Sequence, residues 1–116
     1  MTLTQMLGQK LVFGFHGPSL SPEFKALIRK YKIGNVILFL RNVESADQLR
    51  QLCDEIRALI LEETGYPPFI IIDQEGGMVS RLPKDAVNVP GAMALAATGN
   101  PENARLASEI TIRQLK

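Results

Sequence analysis

Three short apolar runs, residues 10–15, 35–40 and 69–72, alternate with stretches of helical periodicity, and this alternation constrains the fold more than any other feature. Apolar runs of this length suit strands buried on both faces. Ser21-Pro22-Glu23 opens the first intervening helix, with serine at the N-cap, proline at the first helical position and an acid in the first turn. Phe24, Leu27, Ile28 and Tyr31 then share one face. Gly34 is expected to end that segment. Ser45, with Gln48 three positions on, is a capping-box pattern that opens a second helix. Leu49, Leu52, Cys53, Ile56, Leu59 and Ile60 form its apolar stripe, and Gly65 and Pro67 close it. Its opposite face, with Arg50, Asp54, Arg57 and Glu62, reads as solvated. A third helix is expected from Asn100-Pro101-Glu102 to the end of the sequence, and a short one from Thr2 to about Gln9. Residues 90–95 read as a loop.

The order helix–strand–helix–strand–helix–strand–loop–helix predicts an α/β fold, a parallel sheet with right-handed crossovers. Three parallel strands leave both sheet edges unpaired. The last helix reaches Lys116 without a stop signal. A full (β/α)8 barrel needs roughly 250 residues, and these 116 residues supply about three of its units. The expectation is therefore the first part of a TIM-like barrel, incomplete in this chain, with residues 1–116 as one domain segment.

Composition excludes several classes. Apolar content of 46% and charged content of 22% fit an ordinary globular protein. A net charge of +1 gives no reason to expect nucleic acid or acidic membranes as partners. No segment is long and apolar enough to span a bilayer. The N-terminal residues lack a basic region followed by an apolar one, so a cytoplasmic location is expected, or an extracellular one if a leader has been removed. The single cysteine, Cys53, sits on an apolar stripe and reads as a packed core residue. No His, Cys or carboxylate spacing suggests a metal, and no cofactor is implied.

The third apolar run ends abruptly in Asp73-Gln74-Glu75-Gly76-Gly77-Met78-Val79-Ser80-Arg81-Leu82. Strand ends of parallel α/β folds are where ligands bind. Asp73 would accept hydrogen bonds from ligand hydroxyls, Arg81 would offer its planar fork of donors, and Gly76 and Gly77 would let the backbone turn sharply. In the alternative, Asp73 and Glu75 cap a turn and Arg81 pairs with one of them at the surface. Gly14-Phe15-His16-Gly17-Pro18 follows the first strand but matches no phosphate-loop pattern. His16 is expected to be a turn residue, with a catalytic role at the same rim as its alternative. Arg41, after the second strand, reads as a loop cation or, less simply, as a pocket residue.

These residues carry a family resemblance. Ile72-Asp73-Gln74-Glu75-Gly76-Gly77, then Val79 and Arg81-Leu82, resembles the substrate-binding motif of glycoside hydrolase family 3, in particular its β-N-acetylhexosaminidases. Leu7-Gly8-Gln9 with Val12-Phe13-Gly14-Phe15, Gly34-Asn35-Val36-Ile37-Leu38-Phe39 with Arg41-Asn42, and Pro90-Gly91-Ala92-Met93-Ala94-Leu95 with Ala96-Ala97-Thr98 are similar to the family's flanking segments. The resemblance implies a TIM-like barrel and retaining, two-step hydrolysis through a covalent glycosyl-enzyme. It implies that Asp73 and Arg81 hydrogen-bond the sugar in the −1 subsite. Met78 departs from the arginine often found there. Glu75 is neither acid nor nucleophile by this resemblance. The general acid/base, a His-Asp pair, the aspartate nucleophile and a sugar-binding Lys-His segment would all follow Lys116.

Retaining hydrolysis needs an acid/base and a nucleophile on opposite sides of the bond. No catalytic residue is therefore expected in this chain, which should be inactive alone. The function expected is part of a glycosidase that removes terminal β-linked N-acetylglucosamine, with peptidoglycan fragments first among substrates. Alternatives are a β-glucosidase-type member of the same family, a non-catalytic binding module that reuses a partial barrel, and an unrelated α/β enzyme built on His16 and Asp73. The partners expected are a carbohydrate and either the rest of the barrel or a second copy at the open sheet edges.

Overall fold

The three apolar runs pair as parallel neighbours. The computed structural model describes all residues 1–116, and its sheet runs in the order β1 (Val12–Phe13), β2 (Asn35–Leu38) and β3 (Ile70–Ile72). Val12 lies opposite Asn35 and Leu38 opposite Ile72. The helices are α1 (Leu3–Gly8), α2 (Pro22–Tyr31), α3 (Ala46–Thr64), α4 (Ala92–Ala97) and α5 (Pro101–Leu115). None is long and apolar enough to cross a membrane. The sequence reads as one domain segment, and within it the structure divides into two compact units, Met1–Ile72 and Asp73–Lys116.

In the first unit the sheet buries its central strand. Val36 and Leu38 of β2 pack with Ile28 of α2, Ile33, and Ile56 and Ile60 of α3. Burial of each such side chain stabilises by roughly 1.5–3 kcal/mol. The Phe15 and Phe24 rings meet at 4.9 Å between centroids and close one end of this core. Cys53 packs against the core, as its place on the apolar stripe leads one to expect, and burial pushes its thiol pKa up. The edge strands are the exposed ones: Val12 and Phe13 of β1 and Ile71 of β3 all show more than a third of their surface.

Three local readings need correction. Helix α2 ends at Lys32, which adopts the left-handed conformation (φ 52°), and not at Gly34. Gly34 is required for a different reason: a Cβ there would lie 2.5 Å from Gln9 Nε2 and 2.9 Å from Gln9 Cα. At Ser45 only half of the capping box forms. Ser45 Oγ accepts from Gln48 N, while Gln48 Oε1 accepts from Glu44 N, one residue earlier than the motif requires. Gln48 Nε2 instead donates to the Pro18 and Asn42 carbonyls and ties helix α3 to two loops. Finally, residues 90–95 read as a loop, but from Ala92 the chain forms helix α4. Its Ala-Met-Ala-Leu-Ala-Ala sequence has high helix propensity, but no side chain caps it and it shows no polar face to reveal a period.

The strands are also shorter than the apolar runs. Lys10 and Leu11 donate back to Leu7 and Gly8 and close the turn after α1, so β1 starts only at Val12. Past Leu38 the chain folds into a 3-10 turn, Leu40–Asn42, which removes the end of the second run from the sheet.

Candidate functional site

Parallel pairing brings the carboxyl ends of the three strands to one edge of the sheet. The chain leaves that edge at Gly14, at Phe39 and at Asp73.

The exits from β1 and β2 are locked together by Asn42, which is fully buried. Its amide nitrogen donates to the Phe15 carbonyl (3.1 Å) and the Gly17 carbonyl (2.7 Å), and its oxygen accepts from Phe39 N (2.9 Å). Arg41 adds a second tie. Its Nε donates to the same Phe15 carbonyl at 2.9 Å, and its guanidinium carbon stands 4.4 Å from the centroid of the Phe39 ring. Asn35 does a similar job at the other end of the strands: its amide donates to the Gln9 and Leu11 carbonyls and accepts from Phe69 N. The sequence reading treats Asn35 and Asn42 only as matches to the family pattern. A buried amide that bonds across strands leaves no local periodic signal.

The exit from β3 is a tight hairpin. Gly76 (φ 84°) and Gly77 (φ 59°) occupy the left-handed region, and Val79 N donates to the Gly76 carbonyl at 3.2 Å. Positive φ at the first central residue, Gly77, is the demand of a type II′ turn, and glycine meets it without steric cost. Met78 sits fully exposed at the tip. The loop is cross-braced by Gly77 N on the Val89 carbonyl (2.7 Å) and by the Asn88 amide on the Gly77 carbonyl (2.7 Å).

Gln74 closes the loop. Its Oε1 accepts from Arg81 N at 2.6 Å, and the Ser80 hydroxyl lies 3.3 Å from its amide. Asp73 and Glu75 are exposed, and their carboxylates make no hydrogen bond or ion pair. Arg81 likewise has no ion pair, and its Nε is buried without any partner. The turn-capping alternative is thus not what holds this loop: the backbone and Gln74 hold it, and two carboxylates and one guanidinium are left unengaged. A buried guanidinium N–H without an acceptor is costly unless a ligand supplies one.

Gln74 and Glu75 also line an open groove of about 760 Å³, walled by Val89, Leu95, Ala107 and Ile112. Asp73 and Arg81 do not line it, and its walls are mostly apolar. This groove and the polar pair are therefore different places. His16 is exposed and its imidazole makes no hydrogen bond or ion pair, so no acid–base couple forms on it. No three His, Cys, Asp or Glu side chains gather as a metal site would require.

The model of the glycosyl hydrolase family 3 N-terminal domain matches residues 2–116. The chain belongs to this family. Among the curated relatives of this family member, a β-hexosaminidase of Alkalilimnicola ehrlichii is 41% identical over 89% of the chain and 29% of that protein. The β-hexosaminidase A of Pseudoalteromonas piscicida is 36% identical over 84% of the chain and 19% of that protein. A family 3 β-N-acetylglucosaminidase from a Paenibacillus species superposes with a TM-score of 0.93 at 39% identity, over 99% of the chain and 22% of that structure. NagZ from Neisseria gonorrhoeae, solved with N-trifluoroacetyl-D-glucosamine, superposes with a TM-score of 0.67 at 30% identity, over 84% of the chain and 27% of that structure. The chain thus spans less than a third of the length of these relatives. The parallel βα units are a partial TIM-like barrel, as the alternation of strands and helices predicts.

Proposed function

We propose that residues 1–116 form the first βα units of a retaining β-N-acetylhexosaminidase that removes terminal β-linked N-acetylglucosamine, with peptidoglycan-derived glycosides as its leading substrates. Asp73 and Arg81 bind the sugar in the −1 subsite. The observation that carries this is the unengaged pair itself: a free carboxylate directly after β3 and a guanidinium with an orphaned Nε, on a loop held without either of them. Asp73 accepts from sugar hydroxyls, and Arg81 donates to sugar oxygens. The names and shared fold of the relatives support the same reading.

The chemical step falls to groups beyond Lys116. By the family resemblance the acid/base and the nucleophile follow these 116 residues, and Glu75, an exposed carboxylate without an ion pair, serves as neither. The remaining strands of the barrel cover the exposed edges of β1 and β3. The test is hydrolysis by the complete enzyme of matched aryl β-glycosides. The expected result is a kcat/KM for the N-acetylglucosaminide about a hundredfold or more above that for the glucoside. Preference for the glucoside would favour the β-glucosidase type, and hydrolysis of neither would favour a non-catalytic binding module.

A further inference from the structure

The hairpin after β3 is braced from the far end of its own unit. Residues 83–90 form no helix or strand, so no ladder holds them in place. Both backbone groups of Val87 are instead met by one side chain 27 residues on. Val87 N donates to Gln114 Oε1 at 2.7 Å, and Gln114 Nε2 donates to the Val87 carbonyl at 3.0 Å. Gln114 lies in the last turn of α5, and its Nε2 also reaches the Ile110 carbonyl of that helix at 3.4 Å. The next two residues carry the brace to the hairpin. Asn88 Nδ2 donates to the Gly77 carbonyl and the Val89 carbonyl accepts from Gly77 N, both at 2.7 Å. The two segments touch: a Cβ at Gly76 would lie 2.8 Å from the Val89 carbonyl oxygen. All of these residues belong to the unit Asp73–Lys116.

A short hairpin turning on two glycines has little stiffness of its own, because glycine is conformationally permissive and an isolated two-stranded ribbon is marginal in water. Binding groups carried on such a loop stay in place only if neighbouring residues fix it. We infer that Gln114 and Asn88 are positioning residues for sugar binding: acting in series through Val87–Val89, they fix the hairpin tip and with it the arms that bear Asp73 and Arg81. This rests on the reading above that these two residues bind the sugar.

The test is the steady-state hydrolysis of an aryl β-N-acetylglucosaminide by the complete enzyme. Gln114→Met keeps the length of the side chain and removes both bonds to Val87, and Asn88→Ala breaks the next joint. Both side chains are exposed, so neither substitution cuts into the core. Each is expected to raise KM about tenfold with kcat changed by no more than about threefold, because the loop binds the substrate and performs no bond-breaking step. Losses in series do not multiply, so the double variant should be no more than about twofold worse than the poorer single variant. A mere loss of global stability would move the urea midpoint and leave KM alone. KM within about twofold of the wild type in both single variants would overturn the inference. So would full multiplication of the two losses, which would make them independent contacts. Asp73→Ala in the same assay separates the inference from the reading beneath it: an unchanged kcat/KM there brings down the sugar site itself, whatever Gln114 does.

Discussion

Asn42 shows how one side chain can decide whether two loops stay in place. Removing its amide in Asn42→Ala would orphan the Gly17 carbonyl and the Phe39 N–H and leave the Phe15 carbonyl to Arg41 alone. Each orphan costs about 1–3 kcal/mol, so a loss of roughly 3 kcal/mol or more is expected in urea unfolding. Gln74 has the corresponding place in the β3 exit. Gln74→Ala is expected to raise KM for an aryl N-acetylglucosaminide by about tenfold in the complete enzyme, through misplacement of the Arg81 backbone. Gln74→Glu keeps an acceptor for Arg81 N and should recover most of that loss, whereas unchanged KM in both variants would deny Gln74 a positioning role. Gly76 and Gly77 were legible in the sequence because sharp turns demand glycine. Asp73 and Arg81 were legible as candidates because a polar cluster ends an apolar run. Gln74 was not, since its partner lies seven residues on and meets it only after the hairpin has formed.

At the scale of elements, the alternation of apolar runs and amphipathic helices was legible because strand burial and helix faces leave periodic traces. The ties between elements were not. Glu63 near the end of α3 accepts from Lys32 Nζ (2.9 Å) and Arg29 Nε (3.2 Å), which joins α3 to α2. The Lys32 hydrogen bond chiefly holds its carboxyl below the usual glutamate range, with the Lys32 charge and Arg29 adding to it against partial burial. A depressed folded-state pKa contributes stability that is present above the unfolded value, about 4.3, and is lost as pH falls through the folded value. Unfolding of Glu63→Gln should therefore differ from the wild type at pH 7 and converge with it toward pH 3. A difference that persists at acid pH would assign the effect to packing. The seam between α1 and the turn after α2 is equally specific. A Cβ at Gly8 would collide with the Lys32 carbonyl, and one at Gly34 with Gln9, so Gly34→Ala is expected to cost about 2–4 kcal/mol in thermal or urea unfolding. The sequence marked Gly34 as special but for the wrong reason, because close approach between distant segments cannot be read from local patterns.

At the scale of the molecule, a partial parallel barrel exposes what a closed one would cover. Val12 and Phe13 on one sheet edge and Ile71 on the other are open to solvent or to further strands. A polypeptide of residues 1–116 is expected to hydrolyse no aryl N-acetylglucosaminide, and turnover by it would show that acid/base and nucleophile lie within these residues after all. The central claim is that the loop after β3 holds the sugar. Its most direct test is kcat/KM for an aryl β-N-acetylglucosaminide in the complete enzyme with Asp73→Ala. Loss of the carboxylate should lower kcat/KM by at least about a hundredfold, since hydrogen bonds to a charged partner in a closed site are each worth roughly 1.5–3 kcal/mol. A value within twofold of the wild type, in a variant that still folds, would contradict the claim.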